Sequence, residues 1–216
     1  MKLPFTTKQF LQVFKDYNDT VFPLQIFFYF LAAAIIIFSV RKTAGSDKIV
    51  NLILTFFWLW MGIVYHLLFF VTINKAAYLF GSFFIAQGVL FFYYGVIRQK
   101  LTYRLTQDKL GVIGLILVTF ALVVYPLLGY LFGHIYPVAP TFGVPCPTTI
   151  FTFGVLLWSD RKAPKIILII PFIWSLLGFS ATIALGIRED IALLVAGLLT
   201  FGILLFRKQN VKPALN

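Results

Sequence analysis

The chain's one cysteine, Cys146, stands in the run Pro145-Cys146-Pro147-Thr148-Thr149, and His134, one of only two histidines, lies shortly before it. Between His134 and Thr149 the backbone carries Pro137, Pro140, Gly143 and Pro145, so this stretch is not continuous helix. Pro147 suits the first residue of a new helix, where its missing N–H costs nothing and its φ is already helical. Cys146 is then expected as the N-cap. Thr148 and Thr149 add hydroxyl and N–H groups at the positive pole of that helix, an arrangement suited to an anion or to the negative end of a solute. The other histidine, His66, follows Tyr65. Asn51, Thr55, Gly62 and His66 fall within a narrow arc at about 100° per residue, so they predict one polar stripe on a helix. An ionisable side chain inside an apolar run is a functional candidate by default. An imidazole bonded to a neighbouring helix is the alternative. Gln87 reads first as an interhelical hydrogen-bonding residue. The solute-binding candidates are therefore His66, Tyr65, Gln87, His134, Tyr136, Cys146, Thr148 and Thr149.

Catalytic and cofactor chemistry is poorly represented. No His-x-x-x-His or Cys-x-x-Cys spacing joins His66, His134 and Cys146, so no metal site is expected. No carboxylate or amide is evidently placed to orient a histidine base for Cys146. The chain shows no phosphate loop, dinucleotide fingerprint or haem attachment run. No cofactor is expected, and an enzyme is the disfavoured reading. A lone cysteine also excludes an internal disulfide.

The elements that must position these residues are apolar helices. The 216-residue chain is 61% hydrophobic, and its charges cluster between apolar runs long enough to cross the roughly 30 Å hydrocarbon core of a bilayer. The expected fold is all-α, a polytopic transmembrane helix bundle of about seven spans: 21–40, 49–73, 76–97, 110–132, 148–158, 166–187 and 191–206. The fifth has only about 11 helical residues, or about 16 Å at 1.5 Å per residue, and crosses only if the Pro-rich segment before it is itself immersed. Residues 1–20 read as an amphipathic surface helix, with Phe10, Leu11, Phe14 and Tyr17 on one face and Thr6 or Thr7 as cap. The whole of 1–216 is one integral membrane domain, with 21–206 as the bundle and 207–216 as a cytoplasmic tail. All seven carboxylates lie outside these apolar runs, which disfavours a charge-relay pump.

The net charge of +11 does not point to nucleic acid, because the basic residues mark alternate loops and suit anionic lipid. Arg41, Lys42 and Lys48; Arg98, Lys100, Arg104 and Lys109; Arg161, Lys162 and Lys165; and Arg207, Lys208 and Lys212 put the C-terminus in the cytoplasm and the N-terminus outside. The first apolar run is too long, and starts too late, for a secretory signal. Glycines at 81, 88 and 95, at 129 and 133, and at 178 and 186 predict close helix packing or a homo-oligomer through the same faces.

Three blocks carry a resemblance. They are Leu3-Pro4-Phe5-Thr6 with Gln9, Phe10, Leu11, Val13, Phe14, Tyr17, Asn18 and Pro23; Trp58 to Gly62 with Tyr65, His66, Ile73 and Asn74; and Tyr125-Pro126, Gly133-His134 and Pro140 to Thr149. They resemble a bacterial family of polytopic membrane proteins of unknown function. That resemblance covers nearly the whole chain and implies the fold without an activity. Three readings stay open. One is an inner (plasma) membrane protein that binds or transports a small neutral or anionic solute through an outward-facing cavity. The others are a non-transporting scaffold or accessory protein partnered by lipid, and an enzyme using Cys146 or the histidines.

Overall fold

The structure, a computed structural model, describes residues 4–160 and 163–206. Eight helices make up nearly all of it: α1 (Thr7–Val21), α2 (Leu24–Val40), α3 (Ser46–Thr72), α4 (Ala77–Ile97), α5 (Lys109–Leu131), α6 (Pro145–Leu157), α7 (Lys165–Leu185) and α8 (Arg188–Phe206). Only isolated bridges, and no strands, occur among the described residues. The all-α expectation holds. The proposed tail 207–216, and Arg161 and Lys162, lie outside the described residues.

The span count differs from seven. Five helices, α3, α4, α5, α7 and α8, are long and apolar enough to cross a membrane. A sixth arises only if α1 and α2 count together across their 86° bend. The cause is Pro23, which cannot continue α1, and the extended Phe22 before it. Helix α6 has only 13 residues, about 20 Å at 1.5 Å per residue.

That short helix is the centre of the bundle. Every residue from Pro147 to Ser159 is buried, with Ile150, Phe151, Phe153, Val155 and Leu156 fully so. A helix apolar on all sides is one enclosed on all sides: α5, α7 and α8 pack around it, and Phe57 and Trp58 of α3 reach Phe151 and Thr152. Glycines set the distances. A Cβ on Gly114 would lie 2.7 Å from the Gly154 carbonyl, and one on Gly154 would lie 2.7 Å from the Gly114 carbonyl, so α5 and α6 meet backbone to backbone. Gly62 and Gly81 do the same for α3 and α4. Apolar side chains also cover the outside, among them Phe30, Leu68, Leu131 and Ile183. An apolar exterior on this scale suits lipid rather than water.

The amphipathic α1 forms as expected. Thr6 accepts from Gln9 N–H, and the Gln9 side chain returns a bond to Thr6 N–H in a capping box. Its apolar face, however, is covered by protein: Phe14 and Tyr17 pack on Tyr65, and Phe10 on Phe70.

Candidate functional site

The irregular segment 133–144 runs into the protein rather than over it, and α1 and α2 supply its missing hydrogen bonds. Asn18 Nδ2 donates to the carbonyls of Pro137 (2.6 Å) and Ala139 (2.8 Å). Gln25 Nε2 donates to Asn18 Oδ1 and to Thr141 Oγ1, and Tyr17 OH reaches the Gly143 carbonyl. Such backbone survives at membrane depth only when protein satisfies it. Gly143 has φ +106, and a Cβ there would stand 2.4 Å from the Phe28 ring, so both conformation and space demand glycine.

Helix α6 starts two residues earlier than the sequence suggested. Val144 is its N-cap, Pro145 its first residue, Cys146 its second and Pro147 its third. The whole first turn tolerates proline, because none of its N–H groups has a partner within the helix. Two of the first four residues therefore lack an N–H, and Thr148 N–H is taken by the Val144 carbonyl. Thr148 Oγ1 accepts from Gly143 N–H, which ties the segment to the helix. Thr149 is fully buried, and its hydroxyl has no partner.

Beside this helix start, at the end of the bundle formed by the last turns of α3 and α7 and the first turns of α4, α6 and α8, lies a cavity of about 120 Å³. Space for roughly one probe sphere (~10–15 Å³) holds a water, so this one admits a small molecule. Tyr65, His66, Cys146, Trp174 and Asp190 line it, with Phe10, Phe14, Phe70 and Phe80 completing its apolar wall. The structure thus brings together three of the residues singled out in the sequence: Tyr65, His66 and Cys146.

His66 is fully buried, and neither ring nitrogen has a hydrogen-bond partner in the protein. Its neighbours are rings, Phe84 at 4.7 Å and Trp174 at 5.2 Å between centroids. The indole N–H of Trp174 is likewise without a partner. Orphaned buried donors and acceptors each cost about 1–3 kcal/mol, so their gathering at one cavity calls for an explanation. Tyr65 and His66 sit in a wide π-helical stretch of α3, Met61–Phe69, a distortion frequent at functional sites. The expected stripe does share one face, toward α4, where Asn51 meets Gly95, Gly62 meets Gly81 and His66 meets Phe84, but packing closes most of it. Asn51 bonds to the Leu101 carbonyl and the Tyr103 hydroxyl, Thr55 bonds back to the Asn51 carbonyl, and Gly62 meets α4. Of the four stripe residues, only His66 reaches the cavity.

Two carboxylates overturn the expectation that none is embedded. Glu189 and Asp190 are 1% and 2% exposed. They follow Gly186, whose left-handed φ of +77 ends α7, and the connection is so short that they fall in the first turn of α8. The helix dipole favours negative charge there. Asp190 accepts from Tyr125 OH at 2.6 Å. Glu189 Oε1 pairs with His134 Nδ1 at 2.7 Å, and its Oε2 has no partner. A carboxylate orienting a histidine does exist, then, but on His134, which does not line the cavity with Cys146. Glu189 and Asp190 were missed because an acidic pair between two apolar runs reads as an exposed loop. The signal was the short connection, which leaves no loop for them to occupy.

The remaining candidates lie elsewhere. Gln87 is fully buried and donates to the Ile167 carbonyl, tying α4 to α7. Tyr136 is half-exposed, its hydroxyl 3.4 Å from the Asn18 carbonyl. Among the described residues, no group of three or more His, Cys, Asp or Glu side chains is arranged to hold a metal ion.

Residues 7–216 match the model of DUF6064, a family of unknown function. The chain belongs to that family. No curated protein and no solved structure matches it. The match spans all eight helices and every cavity-lining residue except Phe5.

Proposed function

We propose that this DUF6064 member is an inner-membrane protein that binds a small solute in the cavity at His66, Cys146 and Asp190, as a step in moving it across the membrane. The observation that carries this reading is His66, fully buried at the cavity wall with both nitrogens unpartnered. A bound solute with one donor and one acceptor would satisfy a neutral imidazole. Buried carboxylates in the first turn of an apolar helix, next to the same cavity, support a functional pathway, since ionisable groups at membrane depth are costly to keep.

Orientation follows from charge. The described basic residues of the α2–α3 turn, the α4–α5 loop and the start of α7 lie at the end of the bundle opposite the cavity. The positive-inside rule then faces the cavity, α1 and the N-terminus outward. Among the described residues the lining includes no Lys or Arg, which favours a neutral or donor-bearing solute over an anion.

Cys146 is the chain's only cysteine, so accessibility can be read without background substitutions. A small membrane-impermeant methanethiosulfonate reagent applied to right-side-out vesicles should modify Cys146. If the folded protein stays unmodified while the denatured protein reacts, or reacts only from the cytoplasmic side, the outward-open reading fails.

A further inference from the structure

The cavity reading can be taken one step further, to the class of solute, and the step rests on that reading. Seven aromatic side chains, Phe14, Tyr65, Phe70 and Trp174 among them, face one space with a single carboxylate, Asp190. Aromatic faces carry negative charge density and attract a cation within about 6 Å, most strongly where water is excluded. Among the described residues nothing basic competes for the carboxylate: Arg188, two residues away in sequence, is turned onto the Phe132 ring at 5.9 Å, and none of the described Lys or Arg lines the cavity. Asp190 takes one neutral hydroxyl hydrogen bond, from Tyr125, and Cys146 lies beside it. The nearby His134 is committed to Glu189, so it does not offset Asp190. A buried carboxylate without a positive partner is costly, and it is stabilised by a bound cation or by a proton. His66, unpartnered in the same lining, adds an acceptor for a second N–H or a hydroxyl.

We infer that the cavity selects a small organic cation, a primary or substituted ammonium on an apolar body, with the ammonium at Asp190 and the body against the aromatic wall. Charge, apolar lining and size agree on this class. An engineered apolar cavity of about 150 Å³ accepts benzene, and this one is comparable and partly open.

The test uses the full chain in lipid nanodiscs and three probes of similar shape: benzylamine, benzyl alcohol and benzoate. Binding is read by calorimetry, and its place by slowing of Cys146 alkylation. At neutral pH benzylamine should bind at least tenfold more tightly than benzyl alcohol, with benzoate weakest. Asp190→Asn should remove that preference. Should that variant fail to fold, the comparison of probes on the native chain stands alone. Equal affinity for amine and alcohol, or a preference for benzoate, would overturn the cation assignment and leave a solute cavity. If no probe binds or protects Cys146, the cavity reading itself falls with it.

Discussion

Replacing His66 by Phe should make the protein more stable, which is the reverse of what a histidine in an ordinary packing role would give. The ring keeps its place among Tyr65, Phe70, Phe80, Phe84 and Trp174, so the aromatic contacts survive. Neither nitrogen has a protein partner to lose. Each buried orphan costs about 1–3 kcal/mol, and the partly open cavity argues for the lower end, or about 2 kcal/mol for the two. The larger ring offsets about 1 kcal/mol of this through crowding, although the cavity beside it gives room. The net gain is about 1 kcal/mol, which is about 2–4 °C in melting temperature for a chain of this size. The assay is thermal unfolding in one detergent, followed by intrinsic tryptophan fluorescence, beside a solute titration of the same variant. Stability should rise while solute binding weakens at least tenfold. A fall of several degrees would show that His66 makes a structural hydrogen bond, and would remove the main support for a binding role.

Three further substitutions probe the frame around the site. Asn18→Leu strips the donors from the Pro137 and Ala139 carbonyls and should cost about 2–5 kcal/mol at about 1–3 kcal/mol for each orphaned group; protease sensitivity within 133–144 should rise with it. Gly143→Ala must hold φ +106 and a Cβ 2.4 Å from Phe28, so a loss of about 2–4 kcal/mol is expected from strain and crowding, measured as a lower melting temperature. His134→Ala leaves Glu189 Oε1 buried without its hydrogen-bond partner and should cost about 1–3 kcal/mol. Adding Glu189→Gln to that variant should recover part of the loss, and no recovery would mean that the pair is not what His134 contributes.

Much of the architecture was legible from periodicity and charge. The apolar runs become helices, Thr6 caps α1, and the Pro-rich segment does enter the protein ahead of a short helix. What composition could not give was who satisfies that segment. Asn18, in the first predicted helix, and Gln25, inside the first apolar run, find partners more than a hundred positions away. The polar stripe of α3 holds as a face, with Asn51, Gly62 and His66 all turned toward α4, but not as a cavity lining. Helix packing closes it at Gly62 and Gly81, and Asn51 is captured by the 101–103 segment at the far end. Glu189 and Asp190 were hidden by their charge, which argues for solvent until the Tyr125 and His134 partners are seen. Of the glycines read as close-packing positions, Gly81, Gly88 and Gly95 do seat α4 on α3 and Gly178 meets Leu193 of α8, whereas Gly129, Gly133 and Gly186 have no tight neighbour and the α5–α6 contact uses Gly114 and Gly154 instead.

The most direct measurement is the rate of Cys146 alkylation in lipid nanodiscs as benzylamine and benzyl alcohol are titrated. The account predicts that the thiol reacts in the folded protein and that at least one of the two slows the reaction saturably, with a midpoint equal to its calorimetric dissociation constant. A thiol that is inert, or one whose rate is unchanged at saturating concentrations of both, would contradict a solute site at His66, Cys146 and Asp190.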